Sequence, residues 1–206
     1  MGVAVHAEVM PRSASRRIVI VGFAGMQSLD AVGPFDVFSG ADQAVAGIAG
    51  SRGYSTSLVS AGGGLVRCDS GLGLATDPLP RPDEEIDTLL LAGGWGVFEA
   101  RQDRALVEWI ATTAPRCRRL ATVCTGAFLA AQAGLLDGRR VTTHWARADR
   151  LQQEFPTVTV DPDPIYVRDG DVWTSAGVTA GIDLALALVE DDHGVDVAQT
   201  RCGSLR

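Results

Sequence analysis

The sequence predicts an α/β domain built on a mostly parallel sheet with helices on both faces. Three observations carry this expectation. Apolar runs of strand length alternate with segments of helical periodicity from residue 17 to residue 193. The runs at 17–23, 86–92 and 118–124 are apolar along most of their length, as strands buried on both faces are. Each leads to a group suited to a ligand: Asp30, the Gly93-Gly94 pair and Cys124. In open parallel sheets the ligand site lies beyond the carboxyl ends of the strands, so these three features are expected to meet at one edge.

The first strand, 17–23, leads through Gly25 into a helix over 28–38, where Leu29, Val32 and Phe35 fall near helical spacing and Pro34 is expected in the first turn. Residues 54–61 read as a second strand, and 65–76 alternate and contain glycines, which predicts a hairpin. Pro78, Pro80 and Pro82 mark a surface connection. The strand at 86–92 is closed by Gly93-Gly94-Trp95-Gly96. A helix over 103–114 then places Leu106, Trp109 and Ile110 on one face.

The strand at 118–124 runs into a helix over 125–133, with Gly134 as its C-terminal stop. After a turn at Asp137-Gly138 come a short strand (140–145), a helix (146–155), a strand (157–160) and a hairpin over 165–174 around Asp169-Gly170. The last long helix, 179–193, is apolar over much of its circumference and is expected to pack into the body or across a partner. No internal repeat or low-complexity segment interrupts the series.

A chain of 206 residues suffices for one well-packed α/β domain and is short for two. With 46% hydrophobic and 21% charged residues the balance is globular, and a net charge of −7 argues against direct nucleic-acid binding. No run of eighteen apolar residues is present, so no membrane span is expected. Residues 1–16 lack an apolar core ahead of a cleavage site and read as a loose leader. The cysteines (Cys68, Cys117, Cys124 and Cys202) form no CxxC pair, and the histidines (His6, His144 and His193) lack ligand spacing. A disulfide framework and a metal centre are therefore disfavoured, no cofactor is expected, and a reducing cytoplasm fits the cysteine usage.

Residues 120–130 hold the densest chemistry. An apolar strand turns sharply into an apolar helix, with Cys124 at the junction. There the free N–H groups of the helix start and its dipole favour a negative atom, so the thiol is expected to ionise more readily than in water. A small buried structural cysteine is the competing account. Asp30 fits either a proton shuttle or a helix cap. Thr125 follows Cys124, and its hydroxyl suits a helix start equally well. Gly93 and Gly94 would bring bare N–H groups close to a ligand as an oxyanion hole, or simply make a turn. Trp95 would wall a pocket or pack. His193, ending a long helix, reads as a dipole-favoured terminal residue.

Five segments occur together and in order: residues 29–38 (LDAVGPFDVF), 87–94 (DTLLLAGG), 123–127 (VCTGA), 133–145 (AGLLDGRRVTTHW) and 174–183 (TSAGVTAGID). With them the chain resembles the ThiJ/PfpI family of the class I glutamine amidotransferase-like superfamily, over roughly residues 17–194. The resemblance implies a flavodoxin-like three-layer sandwich with a nucleophile elbow, a domain spanning 17–195, and a tail at 196–206 that departs from the family's apolar helix. It implies a nucleophilic Cys124 met by the acidic Asp30, with Thr125 assisting, His144 nearby, and Gly93, Gly94, Trp95 and Gly33 around the substrate.

Two branches are similar. Isonitrile hydratases add water to an isonitrile, giving an N-substituted formamide. The other branch is the N-terminal domain of AraC-type regulators, whose helix-turn-helix part has no counterpart in residues 1–206. The first implies an enzyme acting on a small electrophile, an isonitrile or a dicarbonyl in the manner of a glyoxalase or deglycase. The second implies a sensor that binds a small molecule without turnover. A redox-stress thiol is a weaker third expectation. A glutamine-hydrolysing Cys-His-Glu triad is not evident, and the family's habit implies a homodimer.

Overall fold

Eight strands form the main sheet, and β1 (Arg16–Val21) lies inside it. The structure is a computed structural model that describes residues 15–46, 48, 50–81 and 83–204. Ile18, Val19, Ile20 and Val21 have no exposed surface, as expected of a β-branched run covered on both faces. The chain continues through α1 (Ser28–Val45), β2 (Tyr54–Ser60), the β3 (Gly64–Arg67) and β4 (Gly73–Pro78) hairpin, and β5 (Thr88–Leu91). Next come the short α2 (Val97–Ala100), α3 (Arg104–Thr113), β6 (Arg119–Val123) and α4 (Ala127–Gln132). A small lobe holds β7 (Arg140–Val141), α5 (Ala148–Glu154) and β8 (Thr159–Val160), and the chain closes through β9 (Tyr166–Asp169), β10 (Val172–Ser175), α6 (Ala180–His193) and α7 (Val195–Ser204).

The strand order is β3-β4-β2-β1-β5-β6-β10-β9. Pairing is parallel from β4 to β10, and the edge strands β3 and β9 run antiparallel to their neighbours. Helices α1, α6 and α7 pack together, and α2 and α3 pack on α4. The sheet with its flanking helices is the α/β architecture expected.

Local chemistry accounts for the element ends. Asp103 caps α3 by accepting from the N–H groups of Ala105 and Leu106, and α3 buries Leu106, Trp109 and Ile110 together. Gly134 takes a φ of +72° after α4, the left-handed stop expected there.

Four details differ from the sequence reading. Helix α1 runs seven residues further than expected, so Pro34 sits in its second turn, where it leaves the Asp30 carbonyl without its helical N–H donor. The strand expected over 140–145 is limited to Arg140–Val141, because the chain then turns into a 3-10 segment at Trp145–Arg147. Residues 196–204 continue as helix α7, which packs on α1 and α6. His193 stacks edge-on against Tyr54 with Arg16 beside it, and burial and that guanidinium hold its pKa down, so it is not a dipole-stabilised cation.

An ionic cluster at the opposite end of the sheet from Cys124 was not anticipated. The buried Arg119 guanidinium donates to Asp192 Oδ2 at 2.7 Å, to Thr88 Oγ1 at 3.2 Å and to the Leu188 carbonyl at 3.3 Å. Tyr54 donates its hydroxyl to Asp192 at 2.8 Å. Burial raises the pKa of Asp192, yet Arg119, Tyr54 and Arg118 outweigh it and keep the carboxylate ionised. The cluster ties the end of α6 to β2, β5 and β6.

Candidate active site

Strand β6 delivers Cys124 to the sheet edge in a left-handed conformation, φ +54°, which a side-chain-bearing residue adopts only when its surroundings enforce it. They do so here. The Cys124 N–H donates to the Ala176 carbonyl at 3.1 Å, and the Thr143 hydroxyl donates to the Cys124 carbonyl at 2.7 Å. A 3-10 turn, Cys124–Gly126, then leads into α4. At Gly126 a side chain would collide with the Leu91 and Ala92 carbonyls, so the helix start can lie this close to β5 only as glycine.

The thiol is 5% exposed. Backbone N–H groups of Thr125 and Val178 are directed at its sulfur. Burial and the facing Asp30 carboxylate outweigh these donors and push Cys124 up to about 12. The expected easier ionisation is therefore reversed. The physical reason is first the burial of the thiol and then the Asp30 charge against the sulfur.

Asp30 lies in the first turn of α1 and has no exposed surface. Gln27, not Asp30, caps that helix, accepting from the Leu29 N–H, so the cap account of Asp30 does not apply. Its Oδ2 accepts from the Gly93 N–H at 3.1 Å, while Oδ1 is buried and receives no N–H or O–H. The Cys124 thiol lies within hydrogen-bonding reach of the carboxyl. Burial, helped by the charge of Asp69, raises Asp30 to about 7 against the opposing pull of Gly93 and Cys124. A carboxyl that exchanges its proton near neutrality thus stands beside a thiol that keeps its own, close enough to receive that proton.

The glycine N–H groups are engaged within the protein. Gly93 donates to Asp30, and Gly94 donates to Thr125 Oγ1 at 2.9 Å. The N–H groups aimed at the sulfur belong instead to Thr125 and Val178. Gly94 has a φ of +125° and passes against the backbone of Met26 and Gln27, a position only glycine fills.

A cavity of about 180 Å³ opens over Cys124, lined also by Gln27, Asp69, Gly94, Trp95, Thr125, His144, Arg147 and Val178. Trp95 forms its wall while remaining 67% exposed. His144 lines it too, its Nδ1 accepting from the Ala146 N–H at 3.2 Å; burial and Arg147 lower its pKa, so it is neutral. Gly33 does not reach this cavity. It faces α6, where a Cβ would stand 2.8 Å from Ile182 Cγ1, and serves helix packing.

Structure thus brings Cys124, Asp30, Thr125, Gly93, Gly94, Trp95 and His144 to one edge and leaves Gly33 outside. Sequence reasoning missed Asp69, Arg147 and Val178. Val178 was the hardest to foresee: it holds a φ of +48°, which its β-branched side chain opposes. Arg147 carried a faint signal, lying three residues after His144. The described residues contain no group of three His, Cys, Asp or Glu placed to hold a metal ion.

Comparison with known proteins follows the same lines. The DJ-1/PfpI family profile matches residues 16–191. Isonitrile hydratase of Pseudomonas putida is 36% identical over 180 residues, covering 86% of this chain and 72% of that protein. The HTH-type transcriptional regulator CdhR of Pseudomonas aeruginosa is also 36% identical, over 145 residues that make up 70% of this chain and 43% of the regulator. The chain thus spans less than half of that relative. Among solved structures, a ThiJ/PfpI family protein from Pseudomonas syringae superposes with a TM-score of 0.79 at 25% identity, covering 96% of this chain and 81% of that one. An AraC family transcriptional regulator from Pseudomonas putida reaches 0.76 at 22% identity, over 93% and 100% of the two chains.

Proposed function

The chain belongs to the DJ-1/PfpI family, and on that premise we propose that it hydrates a small isonitrile, with Cys124 as nucleophile and Asp30 as proton carrier. The observation that carries this reading is a thiol on a strained elbow that lines an open cavity, with a carboxyl poised near neutrality buried against it. Asp30 takes the thiol proton as sulfur attacks the terminal isonitrile carbon, and that proton passes to the same carbon, giving a thioimidate. Water adds to it, its proton moving through Asp30 to nitrogen. The C–S bond then breaks, the thiol is reprotonated and the N-substituted formamide leaves. Thr125 and Val178 N–H groups steady the sulfur as charge comes and goes.

The test is loss of tert-butyl isocyanide and, separately, of isocyanoacetate, each with appearance of its formamide, followed by infrared and mass detection. Cys124→Ala and Asp30→Asn are expected to abolish it. Absence of turnover by the native chain would remove the reading.

A second reading has its own support. The thiol stays protonated in the resting state, as suits a pocket that binds without turnover, and a regulator is as similar as the enzyme. In that case a ligand would raise the melting temperature and leave the chain unmodified and the ligand unchanged.

A further inference from the structure

We infer that the ligand of this cavity is a small monocarboxylate, grasped by Arg147. The inference rests on the cavity being the ligand site of Cys124 and adds what that ligand must carry. Arg147 belongs to a stack of arginines and aromatic rings at the cavity mouth. Its guanidinium carbon lies 4.5 Å over the Trp95 ring and 6.0 Å from that of Phe98, while Arg150 lies 4.0 Å over Phe98 and Arg101 5.3 Å from it. Arg101 and Arg150 both pair with Glu154. Arg147 has no ion pair among the described residues, and of the three it alone lines the cavity.

A guanidinium held 4.5 Å over an indole ring and without an ion pair keeps N–H groups available for paired bonds to a carboxylate. The neutral His144 beside it does not compete for the anion. Asp69, an exposed carboxylate, lines the same cavity, and its charge raises the pKa of Asp30 and of Cys68. One cationic and one anionic wall orient a ligand: carboxylate toward Arg147, reacting carbon toward Cys124, and no second negative charge near Asp69. A cavity of about 180 Å³ suits a small ligand. An electrophile such as an isonitrile carrying one carboxylate meets all of these conditions.

The probes are isocyanoacetate, its neutral methyl ester and the dianion malonate, titrated calorimetrically into the full chain carrying Cys124→Ala, which cannot turn over. Isocyanoacetate is expected to bind about tenfold or more tighter than either comparator. Adding Arg147→Gln is expected to erase the preference over the ester, and Arg147→Lys to keep part of it. Arg147 is partly exposed, and circular dichroism checks that the variants fold. Equal binding of acid and ester, no binding of the acid, or a preference that survives Arg147→Gln would each overturn the inference. Failure of the proposed enzyme is read separately. Preference without turnover by the native chain upholds the carboxylate site and removes the hydratase, and turnover without preference does the reverse.

Discussion

Thr125 holds both polar atoms of Gly94 with one hydroxyl, accepting from its N–H at 2.9 Å and donating to its carbonyl at 3.0 Å. The three groups are buried together, so the elbow after β6 and the loop after β5 are fixed to each other by this single side chain. Thr125→Val keeps the shape and leaves a buried donor and acceptor unmet. A loss of about 2–4 kcal/mol is expected in urea unfolding, along with loss of activity. Thr125→Ser, which retains the hydroxyl, is expected to stay within about 1 kcal/mol of the parent.

Asp30 gives a pH signature of stability. Its pKa is about 7 in the folded chain, where burial raises it from 3.8. Between those two values the folded state holds a proton that the unfolded chain has released, so stability falls as pH rises through that window and levels off above it. The full effect is on the order of 4 kcal/mol at most. Unfolding midpoints of the parent are expected to drop relative to Asp30→Asn between about pH 4 and 7. Parallel curves would show that Asp30 titrates normally.

The same residue controls the thiol. Removing the Asp30 charge takes away the second-largest cause of the high Cys124 pKa, after burial. Asp30→Asn is therefore expected to alkylate faster at Cys124 with iodoacetamide near neutral pH, by about tenfold or more, while losing turnover. Peptide mass mapping, with Cys117 as the internal comparison, measures it.

Gly33 lies within the motif at residues 29–38 but answers to α6. Gly33→Ala is expected to cost about 1–3 kcal/mol by crowding Ile182 Cγ1, and the pair Gly33→Ala with Ile182→Ala, which removes that atom, to lose less than the sum of the two single variants. The rate of Cys124 alkylation is expected to be unchanged in both. A slowed rate would return Gly33 to the ligand site.

At the far end of the sheet, Arg119→Met removes the buried cation beside Asp192, whose side chain is 1% exposed, and leaves that carboxylate to Arg118, Arg16 and the Tyr54 hydroxyl. Chemical denaturation is expected to show a loss of about 1–3 kcal/mol. The double variant with Asp192→Asn is expected to lose less than the sum of the two single variants, since the two side chains form one network.

The strands and helices were legible because their periods differ and because buried parallel strands are apolar over most of their length. Residues 89–91 and 120–121 illustrate this: every one is apolar and buried. Cys124 and Asp30 were legible as positions, at the carboxyl ends of β6 and β1. Their ionisation was not. A sequence shows that a thiol begins a helix; it does not show that the thiol is buried or that an acid lies against the sulfur. Val178 escaped for a related reason, since a left-handed valine is imposed by tertiary contacts. The Arg119–Asp192 pair is separated by 73 residues and left no local signal.

The left-handed backbone at Cys124 has one more consequence. Any L side chain there holds the fold back by about 1–2 kcal/mol, whereas glycine accepts the same φ without strain. A display library sorted only for resistance to protease would therefore drift toward glycine at position 124. One sorted for reaction with an electrophile would keep cysteine, and the divergence of the two populations would measure how much sturdiness this molecule forgoes for its sulfur.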